Sequence, residues 1–101
     1  MLLIRSAEPL EDYWVRLTLT DGSTVERNVR DLLQGPVFEP LRADYARFRR
    51  LRVRAATLEW PGRVDLDPHV LIWNGPRPRD PEARPADRLE LKHPAALAGA
   101  R

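Results

Sequence analysis

Cysteine is absent from this chain of 101 residues, and methionine, lysine and histidine are scarce, at one, one and two residues. Without a thiol there is no disulfide framework, no zinc knuckle and no cysteine nucleophile. No apolar run approaches the ~20 residues that cross a bilayer; Val70–Trp73 is one of the few short ones. The start, Met1-Leu2-Leu3-Ile4-Arg5, lacks a basic region followed by a long apolar one. No signal peptide is therefore expected, and a cytoplasmic location with no membrane contact is the simplest expectation. Also missing are a Ser-His-Asp ordering, a glycine-rich phosphate loop and a Walker pattern. Carboxylates do occur in pairs (Glu11-Asp12, Asp65 and Asp67), but nothing places them in an apolar cleft that would push their pKa values apart. These absences argue against an enzyme, and no cofactor is expected.

What is present is a globular composition, 43% hydrophobic and 32% charged, with net charge +2. A chain of this length makes one small domain. The cations are 16 arginines against the single Lys92. All three tryptophans, both tyrosines and both phenylalanines fall within residues 1–73, whereas residues 76–101 carry five of the ten prolines among mixed charges. Residues 1–75 are therefore expected to form the folded domain, and 76–101 a mobile or loosely docked tail with at most a helical turn near Ala86–Leu91.

Val15, Leu17 and Leu19 alternate with Arg16 and Thr18, the period of a half-buried strand, and Val25 and Val29 continue it after Asp21-Gly22. A two-residue loop would send Val25 and Val29 to the wrong face. A three-residue loop, Thr20–Gly22, pairs Leu17 with Val25 and Tyr13 with Val29, with Gly22 left-handed. Arg27 then lies on the apolar face opposite Val15 and is expected to snorkel or sit near an edge. A first strand is expected over Leu2–Ala7. Asp31–Leu33 reads as a helical turn, and Phe38, Leu41, Tyr45 and Phe48 as one or two short helices broken near Pro40. Leu51–Val53 and Leu58–Trp60 read as a second hairpin turning at Ala55-Ala56. Asp67-Pro68 opens a helix, docked by Val70, Leu71 and Trp73. The sum is an α+β domain, an antiparallel sheet of about five strands with short helices on one face.

Leu10-x-x-Tyr13, the strand pair around Asp21-Gly22, Asp31-Leu32-Leu33, Val37-Phe38-x-x-Leu41, Phe48, Trp60-Pro61, Asp65-Leu66-Asp67-Pro68 and Leu71 follow in an order that resembles the bacterial domain-of-unknown-function family 2442. The likeness covers residues 2–73. It implies a small α+β fold without an established activity. Some members resembling it carry an added helix-turn-helix domain, and others are encoded beside another small protein, as toxin–antitoxin pairs are. The usual Trp-Pro-Asn-Gly-x-Asp reads here Trp60-Pro61-Gly62-Arg63-Val64-Asp65, so the turn departs from the family pattern.

Three binding chemistries compete. Asp65, Asp67 and His69 would share a face of an extended strand and suit a divalent metal, but Pro68 starts a helix with Asp67 as its cap and scatters them, so no metal site is assigned. Arg47, Arg49, Arg50, Arg52 and Arg54 form a candidate nucleic-acid contact: Arg50, Arg52 and Arg54 from one strand face, Arg47 and Arg49 from the adjoining helix end. Tyr45 and Phe48 could stack on bases, although their spacing with Leu41 fits core packing better, and Glu59 could pair with the strand arginines. Trp14 points away from Tyr13 and Val15 and, beside Arg16, has the composition of an interface anchor, unless the tail or the first strand covers it. The favoured expectation is a non-enzymatic protein-binding module whose partner is another small protein or a second copy as a homodimer. A nucleic-acid-binding accessory is the alternative.

Overall fold

The computed structural model describes residues 1–62 and 64–92. Among them the chain forms seven strands and three short α-helices. Strands β1 (Ile4–Pro9), β2 (Trp14–Leu19), β3 (Thr24–Asn28) and β7 (Arg88–Glu90) make one sheet in the order β1-β2-β3-β7; β4 (Arg52–Arg54), β5 (Thr57–Trp60) and β6 (Val64–Asp65) make a second. Helices α1 (Glu39–Ala43), α2 (Tyr45–Phe48) and α3 (Pro68–Trp73) complete the α+β fold, with 3-10 turns at Arg30–Leu32 and Pro36–Phe38. The expected single sheet of about five strands is thus two sheets. The helical excursion after β3 separates the hairpins, and β5 finds its second neighbour in β6.

The first hairpin has the register that the apolar pattern demands. Leu17 faces Val25, Val15 faces Arg27, and Val29 N–H donates to the Tyr13 carbonyl at 3.0 Å. The loop is closed by Leu19 N–H to the Ser23 carbonyl at 2.8 Å, with Gly22 at φ +88°. Asp21 accepts from the hydroxyl and backbone N–H of Ser23, and Arg84 approaches to 2.6 Å. These donors, the Ser23 hydroxyl foremost, pull the Asp21 carboxyl from 3.8 down to about 2. Strand β1 starts and ends two residues later than the expected Leu2–Ala7, with an irregularity between Ile4 and Ser6.

The break between α1 and α2 falls at Asp44, not at Pro40. Pro40 sits in the first turn of α1, where its missing N–H costs nothing, and Asp44 caps α2 by accepting from Ala46 N–H at 3.0 Å. Asp67 caps α3 in the same way, accepting from His69 N–H at 2.8 Å. Leu71 and Ile72 are the side chains of α3 that are buried, whereas Val70 and Trp73 are only half-buried. The β5–β6 turn places Gly62 at φ +95°, so this chain keeps a left-handed glycine there although its position differs from the family pattern.

The β4–β5 turn is strained. Ala55 and Ala56 sit at φ 52° and 61°, the left-handed pair of a two-residue hairpin loop that asparagine and glycine normally occupy. A Cβ in that region costs ~1–2 kcal/mol per residue. The double substitution Ala55→Asn, Ala56→Gly is therefore expected to raise stability by about 1 kcal/mol, after allowing for glycine's extra unfolded-state freedom. An unchanged urea midpoint would show that the turn is not a source of strain.

Among the described residues seventeen apolar side chains form one core, drawn from both sheets, the helices and Leu91. Trp60 is fully buried and donates from Nε1 to the Phe48 carbonyl at 2.8 Å. Arg27 also lies in this interior, 0% exposed, and neither snorkels nor sits at an edge. The reason is the far end of the described chain. Residues Arg88–Glu90 lie parallel to β3, with Arg27 opposite Leu89, so β3 is an inner strand. The folded unit therefore extends past residue 75, and Ala86–Leu91 contains a strand where a helical turn was expected. Leu91 is buried in the core, and its N–H donates to the Asn28 carbonyl at 3.0 Å. The part of the expected tail from residue 93 onward lies outside the described residues. Among the described residues no helix is long and apolar enough to cross a membrane.

Candidate interaction surface

Strand alternation puts Val15, Leu17 and Leu19 inside and Trp14, Arg16 and Thr18 on the opposite face of the first sheet. On that outer face the register aligns Glu8, Arg16, Glu26 and Arg88 in one row across four strands. The row alternates in sign and is closed by contacts of 3.1 Å (Glu8–Arg16), 3.3 Å (Arg16–Glu26) and 3.3 Å (Glu26–Arg88). Exposed pairs of this kind contribute about 0–1 kcal/mol each. Their effect is to hold the side chains in place rather than to stabilise the fold.

Arg88 also covers Trp14, its guanidinium carbon 3.7 Å from the ring centroid. Trp14 is accordingly half-buried, covered in part by the segment expected to be a tail. An open groove of about 480 Å3 runs beside the indole, lined by Leu10, Glu11, Asp12, Arg49 and Arg88 among others. The Arg49 guanidinium makes no ion pair among the described residues.

The hairpin turn bordering the groove is held against strain. Asp12 and Tyr13 have φ of 55° and 67°, and an aromatic residue in the left-handed region costs of order 1–3 kcal/mol. The tyrosine pair offsets it. Tyr13 N–H donates to the Tyr45 hydroxyl at 3.1 Å, the Tyr13 hydroxyl donates to the Arg42 carbonyl at 3.0 Å, and the Tyr45 hydroxyl donates to the Leu10 carbonyl. The two rings meet edge-on at 5.0 Å, and Phe48 lies 4.9 Å from Tyr13. Tyr45 and Phe48 are thus packing residues that lock the turn to the helices.

The five arginines from Arg47 to Arg54 do not form a single stripe. Arg50 lies in the turn after α2, outside β4. Arg52 and Arg54 do stand on β4, and both reach the buried Glu59 carboxylate, at 2.8 and 3.8 Å. Arg49 belongs to the Trp14 groove, while Arg47 and Arg50 rim a different one. Asp67 is engaged as a helix cap, and among the described residues no three His, Asp or Glu side chains gather as a metal-binding group. Sequence reasoning missed Arg88. Its signal was the alternation Arg88-Leu89-Glu90-Leu91, short but with the strand period.

The architecture is that of a small α+β domain whose accessible features are sheet faces and shallow grooves. The chain belongs to the DUF2442 family, described as protein of unknown function, whose family model matches residues 4–76. No curated protein and no solved structure matches it. The matched region ends before β7, so the strand carrying Arg88 lies outside it.

Proposed function

We propose that this chain is a non-enzymatic binding module that recognises another protein through the outer face of the first sheet, with Trp14 as its anchor. The observation that carries this reading is the open groove beside an outward tryptophan, bordered by Arg88 and by Arg49, which is unpaired among the described residues. Tryptophan and arginine are the side chains that most often dominate protein interfaces, where an aromatic ring enters a partner and surrounding polar groups exclude water. The fixed charge row beside it would serve as the polar rim. The partner is a second small protein, as in a two-gene module of the toxin–antitoxin kind, or a second copy of this chain.

Trp14→Ala tests the reading. The fold should survive, because the indole lies on the outer face and its stacking with Arg88 contributes only ~0.5–1 kcal/mol. Capture of the partner found with the unsubstituted protein, or self-association by light scattering, should drop at least tenfold. Undiminished association with an intact circular dichroism spectrum would remove Trp14 as the anchor.

A further inference from the structure

On another part of the molecule, α1, α2 and the β5–β6 turn enclose a groove of about 290 Å3. Its walls are Val37, Pro40, Pro61 and Val64, and Arg47 and Arg50 stand along its rim. It shares no lining residue with the groove beside Trp14. The volume falls at or below the ~300–1,000 Å3 typical of small-molecule sites, which leaves room for one or two side chains. Val37 is 62% exposed, a rare large apolar side chain left open to solvent among the described residues.

The charge around this groove is one-sided. Its lining holds two arginines, Arg47 and Arg50, and no acid. Asp44 reaches Arg47 only at 3.8 Å, both side chains being more than half exposed, and Arg50 has no acidic partner among the described residues. Residues 47 and 50 are three apart, with Arg50 N–H donating to the Arg47 carbonyl at 3.1 Å, so the two side chains rise from one side of the turn. Two prolines, Pro40 and Pro61, stiffen the walls and lower the cost of ordering the groove itself.

We infer that this groove docks an acidic segment of a partner protein, which inserts an apolar side chain over Val37 and Val64 and sets flanking carboxylates against Arg47 and Arg50. This rests on the reading of the chain as a protein-binding module and adds a second surface with a stated partner chemistry. Carboxylates suit the rim because each guanidinium offers a planar fork of donors to two oxygens.

The test is a titration of the isotope-labelled full chain with a synthetic peptide in which Leu-Phe is flanked on both sides by glutamates, followed by amide chemical shifts. Shifts at Val37, Leu41 and Val64 are expected. Affinity should fall at least tenfold with the Arg47→Glu, Arg50→Glu pair, and also with Val37→Asp. All three positions are exposed or half open, so a dispersed spectrum should persist; should it not, the Arg47→Gln, Arg50→Gln pair serves. A peptide with serines for Leu-Phe, or with lysines for the glutamates, should bind at least tenfold more weakly. Equal binding of either control, shifts centred on Trp14, or displacement by a short oligothymidylate would overturn the inference. Trp14→Ala should leave peptide affinity unchanged, so failure here is separable from failure at the Trp14 surface.

Discussion

Arg27→Met is expected to destabilise the protein by about 3–5 kcal/mol, although it exchanges a buried charge for an apolar side chain of similar reach. The Arg27 guanidinium donates from Nε to the Leu71 carbonyl at 2.8 Å, and from its terminal nitrogens to Ile72 at 2.9 Å, Ala86 at 2.8 Å and Glu26 at 2.8 Å. Leu71 and Ile72 lie in the last turn of α3, where carbonyls have no helical donor and carry the negative end of the peptide dipoles. Replacing a buried ion pair with apolar residues can be neutral when both partners are replaced. Here the acceptors are main-chain carbonyls, which no substitution removes. Each one left dry costs ~1–3 kcal/mol, and partial relaxation of the site sets the sum near the stated range.

Burial pulls the Arg27 guanidinium from its ordinary value down to about 10, opposed by the nearby Asp87. It stays charged near neutrality, so it adds no slope to stability there. Only from about pH 10 up to the ordinary arginine pKa, where the unfolded chain holds more protons than the folded one, does its contribution rise with pH. Arg27→Lys should recover less than half of the loss, because one ammonium cannot reach four divergent carbonyls. Urea unfolding of the three proteins gives the answer, and a loss under 1 kcal/mol for Arg27→Met would show that water serves these carbonyls instead.

Ending the chain after Pro76, near the end of the family-matched region, is expected to remove a comparable amount. Leu91 is buried in the core, and truncating a leucine in such a site costs ~2–5 kcal/mol. The truncation also takes away the Ala86 carbonyl that Arg27 uses and uncovers the edge of β3. Against a total stability of ~5–15 kcal/mol for a typical domain, that is a large share. The truncated protein should unfold at a much lower denaturant concentration and associate through the open strand edge. The single substitution Leu91→Ala keeps the strand and should cost about 2–4 kcal/mol, which leaves a measurable protein if the truncation does not fold. An unchanged midpoint for the truncation would mean that residues 77–92 are an ornament on a self-sufficient core.

The two expectations meet at β7, where the reading of composition failed. A proline-rich, highly charged segment does not bury much apolar area, and that argument is sound for 76–85. It overlooked that a strand of three residues needs only two apolar side chains, Leu89 within it and Leu91 just after it, when its hydrogen bonds go to a strand already in place. Because β7 docks, Arg27 is interior and Trp14 lies under Arg88. The departure at Arg27 and the covering of Trp14, which the sequence left open, thus have one cause.

What the sequence determined by itself is local. The Leu17–Val25 register, the left-handed Gly22, the turn at Ala55-Ala56 and the helix opened by Asp67-Pro68 each rest on period-two alternation or on capping within a few residues, so a short stretch of chain contains all the physics required. The long-range contacts are another matter. Arg27 meets its acceptors 44, 45 and 59 residues away, and Arg88 meets Glu26 across 62. The run of arginines divides among Glu59, the Trp14 groove and the apolar groove according to which element each one leaves. Only the tertiary structure decided these, because a side chain's partner across such distances depends on where the intervening elements pack, and no periodicity in the chain encodes that.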